Sequence, residues 1–237
     1  MCRVSLDTVS IPLPLGMPPS REEPRGLVEA LLSGRYATLG DVPARPGPAD
    51  APPIVPASAL TERPARDIVA ELDASAAAPE PARWRPVRYQ LTCAVADLDD
   101  VLAFTAPAPL AVYVTDVDDS ALAATAQALT DAGHIPGLAV GHGVDAIADF
   151  LSVLAHATTG YVARVADADG VLALLGATAA ALSGFDVREA VVAPDPGRLV
   201  RLVPEATDAL REILLAVEVD DPGVVARDLA ARGLGTR

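Results

Sequence analysis

His142 lies between Gly141 and Gly143, directly after an apolar run at residues 135–140. An imidazole with an ordinary pKa near ~6.5 can take or give a proton around neutral pH. The flanking glycines let backbone and ligand approach closely. Aspartates recur just past other apolar runs: Asp97 and Asp99; Asp116, Asp118 and Asp119; Asp167 and Asp169; Asp195; Asp220 and Asp221. Carboxylates converging on one face, with an imidazole among them, suit a hard divalent cation such as Mg²⁺ or Mn²⁺. On these residues Asp116 and Asp167 would hold the cation, which polarises a carbonyl or phosphoryl oxygen, and His142 would move the proton. Arg164 reaches a substrate only if its face of the strand lines the site. The competing explanation for every aspartate is helix capping, which stabilises by about 0.3–1 kcal/mol each.

These residues belong to strand-to-helix junctions. Apolar runs recur at residues 87–96, 110–114, 135–140, 161–165, 187–192 and 213–219. Their centres are roughly 21–27 residues apart, the length that a strand, a turn, a helix and a second turn require. Residues 120–132, 144–156, 170–183 and 222–232 read as the helices between or after them. Residues 213–219 fit either a helix or a strand. The strand is preferred, because Asp220-Asp221-Pro222 then opens one more helix. Repeated βα units predict a mostly parallel α/β sheet from about residue 87, in a (β/α)-barrel-like layout rather than an open doubly wound one. In such folds ligands bind at the carboxyl ends of the strands, where the aspartates and His142 fall.

Residues 1–86 read as a proline-rich segment with short helices at 22–32 and 62–72 and a possible strand at 3–11, continuous with or separate from a βα-repeat domain at 87–237. Residues 40–56 hold six prolines and two glycines. They read as a surface linker, with an ordered strap across one end of the domain as the alternative.

Asp116-Val-Asp-Asp-Ser120 after a hydrophobic strand resembles the nucleophile motif of haloacid-dehalogenase-type phosphatases. The resemblance covers about ten residues of 237. It implies Asp116 as nucleophile and Asp118 as general acid. That family also uses a downstream lysine or arginine and a later acidic metal motif. This chain has no lysine, and Asp167 and Asp169 are only a loose analogue of the acidic pair.

Composition removes other chemistries. All 18 basic residues are arginine, and asparagine is absent as well. Pyridoxal phosphate, Schiff-base aldolase chemistry and the P-loop lysine are therefore excluded, as is N-glycosylation. A net charge of −14 repels nucleic acid and anionic membranes. Cys2 and Cys93 form no ligand or disulfide spacing. There is no HExxH, CxxC, GxSxG or GxGxxG. No apolar leader precedes residue 30, and the most apolar stretch, 171–182, is too short to span a bilayer. The expectation is a soluble cytoplasmic enzyme acting on a small polar or anionic metabolite, by divalent-metal-assisted lyase or hydrolase chemistry. The alternative is a non-catalytic binding or scaffold domain. A small-molecule ligand is the expected partner, with a second copy or a protein partner on the alanine-rich helices as a further possibility.

Overall fold

The computed structural model describes residues 26–61, 64–73, 85–139 and 141–235. Eight strands form one sheet: β1 Leu32–Gly34, β2 Ile54–Pro56, β3 Val69–Leu72, β4 Arg88–Ala94, β5 Leu110–Thr115, β6 Ile135–Leu138, β7 Tyr161–Arg164 and β8 Leu214–Val219. Their order is β1-β8-β7-β6-β5-β4-β3-β2, and every pairing is parallel. Two isolated parallel bridges, Leu32 with Asp50 and Arg35 with Ile54, bring the β1 and β2 edges together. The sheet is thus a nearly closed barrel, an α/β, TIM-barrel-like fold.

The helices are α1 Leu98–Leu102, α2 Asp119–Asp131, α3 Val144–Leu154, α4 Ala168–Ser183, α5 Val187–Val192, α6 Pro196–Val200, α7 Pro204–Ile213 and α8 Pro222–Ala231. They alternate with strands from β4 onward, and four of them separate β7 from β8. The burial pattern follows from composition. Short Ala, Val and Leu side chains bury both faces of β5, whose first four residues are all inaccessible. Outward residues such as Tyr89, Leu91, Cys93 and Val112 pack beneath the helical layer. Ala111, Tyr113, Ile135, Val162 and Ala216 form a separate cluster inside the barrel.

The proline-rich third is structured where it is described. Residues 40–56 are no linker: they supply β2, and Ala49 and Ala51 are buried. The Ala49 carbonyl accepts from the amides of Leu31 and Leu32, and the Ala51 amide donates to the Leu32 carbonyl. The prolines forbid helix but allow three-residue strands, so β1, β2 and β3 follow one another without an α-helix between them.

Two expected helices fail. Residues 27–30 form a turn that leads into β1, and residues 69–72 are β3, with Ile68, Val69 and Ala70 wholly buried. A strand buried on both faces has no polar alternation to distinguish it from a helix stripe. Residues 187–192 are α5 rather than a strand. The Asp186 side chain accepts from the amides of Arg188 and Glu189 and opens a helix directly after the left-handed Gly184 that ends α4. That capping outweighs the β-branched composition. Residues 213–219 resolve as the end of α7 followed by β8. The possible strand at 3–11 lies outside the described residues.

Inside the barrel Gly137 makes room for an aromatic ring. A Cβ placed there would meet Tyr113 Cδ1 at 2.6 Å. Gly137→Ala is therefore expected to destabilise by about 1–3 kcal/mol through overpacking. Urea denaturation of this variant, alone and in a Tyr113→Leu background, measures the coupling. Equal costs in both backgrounds would remove Tyr113 as the reason for the glycine.

Candidate functional site at the carboxyl ends of the strands

Inward positions near the strand carboxyl ends carry charge. Arg164 is the last residue of β7, and register sets it beside Glu218 of β8. Register likewise pairs Glu71 of β3 with Gln90 of β4. Arg35 directly follows β1. Their side chains meet across the lumen around Glu218, whose side chain is only 8% exposed. Arg35 Nε donates to Glu218 Oε1 at 3.0 Å, Gln90 Nε2 to Oε2 at 3.0 Å, and Arg164 Nη2 to Oε2 at 3.1 Å. Arg164 Nε also lies 3.0 Å from Oε1, without the alignment of a hydrogen bond. Arg35 Nη1 donates a second, short bond to Glu71. The Arg164 guanidinium stacks over the Tyr113 ring, 4.5 Å from its centre.

The electrostatics follow from these contacts. Burial pushes the Glu218 carboxyl up, but the hydrogen bonds and charges of Arg164 and Arg35 outweigh it and hold it below the usual carboxylate range. Burial works against the Arg35 charge, yet Glu71 and Glu218 raise its pKa above the ordinary value. Burial and then Glu218 push the Tyr113 phenol well up, so it stays protonated.

His142 sits on the same rim, in the loop after β6. Its Nδ1 lies 2.9 Å from Oδ1 of Asp119, the first residue of α2, and the Gly143 amide donates to Oδ2 at 2.9 Å. The glycines do specific work here. Gly141 has φ +107, which L side chains rarely adopt, and a Cβ on Gly143 would stand 2.8 Å from Asp119 Oδ2. The close approach that Gly143 permits is thus that of Asp119. The hydrogen bond from His142, then that from the Gly143 amide, lowers the Asp119 pKa. With its proton on Nδ1, His142 presents a free Nε2 lone pair, as a general base requires.

The other expected residues are placed differently. Asp116 directly follows β5 in the left-handed region, φ 61, and accepts from Thr115 Oγ1 at 3.4 Å. Asp118 is the N-cap residue of α2 but makes no side-chain cap bond. Asp167 caps α4, accepting from the Gly170 amide at 2.9 Å. The partner of His142 is therefore Asp119, not Asp116 or Asp118. Among the described residues no group of three His, Cys, Asp or Glu side chains is placed to hold a metal ion. Asp195 and Asp221 cap α6 and α8, and Asp169 pairs with Arg232 at 2.5 Å. His134 binds the Val101 carbonyl at 3.0 Å, away from the rim.

Arg35, Glu71, Gln90 and Glu218 were not anticipated from sequence. Their signal was a charged or amide side chain inside an otherwise apolar strand, as in VAEL, RYQLTCA and LLAVEV. No protein-family model matches the chain, and no curated protein matches it. The likeness to dehalogenase-type phosphatases thus rests on the residues around Asp116 alone.

Replacing Glu218 tests the network. Glu218→Ala leaves Arg35 and Arg164 facing each other and is expected to cost about 2–4 kcal/mol. This lies below the full penalty for breaking a buried pair, because those side chains keep 40% and 31% exposure. Since the folded carboxyl is held low, its contribution is complete above the ordinary carboxylate pKa and is lost as pH falls through the lowered one. Urea denaturation between about pH 7 and pH 3 should show that acid limb in the wild type and a shallower one in Glu218→Gln. Identical acid limbs would mean that Glu218 is not a charged partner.

Proposed function

We propose that the protein is an enzyme that transfers a proton on a small polar or anionic metabolite bound at the strand carboxyl ends. The observation that carries this is the Asp119–His142 pair. A carboxylate at the start of α2 orients an imidazole from the next βα loop, on the face where α/β barrels bind ligands. His142 is the general base or acid through Nε2, and Asp119 fixes its tautomer. Arg164 and Arg35, both partly exposed, supply positive charge that attracts an anion into a protein whose net charge is −14. Proton abstraction beside a carbonyl, or general-base activation of water, fits this pair, in keeping with lyase or hydrolase chemistry. Asp118 and Asp116 stand on the same rim and remain candidates for contacting substrate. The donor set around Asp116 and Asp167 does not assemble a cation site among the described residues, so no step is routed through a metal.

A second reading, a binding domain without catalysis, is favoured by one observation. Leu182, Phe185 and Val192 are exposed by 39%, 56% and 72% beside a groove between α4, α5 and α6. Such a face suits a protein partner or a second copy.

The test begins with a thermal-shift screen of small carboxylates and phosphate esters. Ligands found this way are then followed by NMR for solvent proton exchange or turnover. His142→Ala is expected to lower the rate by about 10²–10⁴-fold while leaving the fold intact. Asp119→Asn should lower it less and move the pH profile. In the wild type, ¹³C NMR should show the Asp119 carboxyl titrating below the usual aspartate range, and His142→Ala should return it upward. Unchanged turnover in His142→Ala, or no ligand at all, would favour the binding domain.

A further inference from the structure

Arg88 opens β4, at the opposite end of the strand from the rim. It shares the lumen-facing parity of Gln90, whose side chain reaches Glu218 inside the barrel. Its Nε is buried and meets no hydrogen-bond partner. Among the described residues Arg88 forms no hydrogen bond or ion pair, whereas Arg35 and Arg164 on the same inner surface are both paired. Burial lowers its pKa, and among the described residues Tyr113 and Glu218 oppose that at Coulombic range. On the inward positions of the described strands, and at Arg35 after β1, three guanidiniums face two carboxylates, Glu71 and Glu218. Glu71 and Glu218 are taken up by Arg35 and Arg164, which leaves Arg88 as the guanidinium of this set without a carboxylate partner. A desolvated charge without a partner is costly, and a bound counter-ion relieves that cost. The residue retains partial exposure, so a small ligand can reach it.

We propose that Arg88 is the anchor of an anion site at the amino-terminal end of the barrel lumen, and that its ligand is a small monocarboxylate. One unpaired guanidinium matches one negative charge. The planar guanidinium fork matches a planar carboxylate, which can accept from two of its N–H groups together. The site is separate from the His142 rim and stands whether or not that rim is catalytic.

Thermal unfolding is measured for the wild type, Arg88→Met and Arg88→Lys in titrations of sodium acetate, sodium phosphate and sodium chloride at matched ionic strength. Acetate at saturation is expected to raise the wild-type Tm by about 5 °C. Arg88→Met should lose this shift and, without acetate, melt no lower than the wild type. Arg88→Lys keeps the charge but not the fork, and should weaken the acetate response about tenfold. The Arg88 Nε–H resonance, identified by its loss in Arg88→Lys, should move on adding acetate. Equal acetate shifts in all three proteins, or none in the wild type, overturn the site. An Arg88-dependent response to phosphate or chloride as strong as that to acetate overturns the carboxylate assignment.

Discussion

The Glu218 carboxylate is the point on which the barrel's interior depends. It takes hydrogen bonds from residues of, or directly after, β1, β4 and β7, and it is carried by β8. Barrels of this class usually fill their lumen with layers of bulky branched side chains. Here the interior apolar cluster is small and rich in alanine. Long polar side chains occupy space that aliphatic ones would otherwise fill, and their charges must then be paired. The network also bears on closure. β1 and β2 meet through two isolated bridges rather than a continuous ladder. Arg35 reaches past β2 to Glu71 on β3 while holding Glu218 on β8. An ion network thus spans the seam beside the backbone hydrogen bonds that join its two sides.

The fold was legible from β4 onward because two independent signals agreed there. Apolar runs marked the strands, and aspartates with helical spacing marked what followed. Before β4 the signals conflicted. Prolines concealed strands of three residues, and Ile68, Val69 and Leu72 fit a helical stripe as well as a buried strand. At residues 187–192 composition favoured a strand, while Asp186 and Gly184 carried the opposite message in two residues. The site was legible only in part. His142 stood out through its glycines, but Asp119 looked like one more helix-start aspartate. The ion network joins residues 183 and 128 positions apart, beyond anything local periodicity reveals.

The similar strand-to-helix junctions have diverged in what their carboxylates do. Asp167 and Asp221 spend theirs on the amides of their own helices. At α2 the N-cap residue, Asp118, makes no such bond, and its neighbour Asp119 turns away from the helix to the loop after β6. A capping carboxylate answers a local need of the backbone. One that crosses to another loop satisfies His142 and Gly143 and leaves its own helix start uncapped by a side chain. That exchange is what distinguishes Asp119 from the other rim aspartates, and it is why an acid–base pair has more support than a cation site.

Register explains why a costly polar interior can still specify the fold. β7 and β8 pair with an irregularity between Tyr161 and Val162, so the backbone alone does not carry one register along their length. A slip of one residue in β8 would turn Val217 or Val219 into the lumen and drive Glu218 into the apolar layer beneath the helices. The carboxylate would then lose Arg35, Arg164 and Gln90 together, and Arg164 would be left without its carboxylate while Arg35 kept only Glu71. An aliphatic lumen would lose far less in the same slip, because valine and alanine pack comparably on either face of a strand buried on both sides. Burying charge here thus ties the pairing of the network to a single register, and the same arginines stand near the carboxyl ends of the strands.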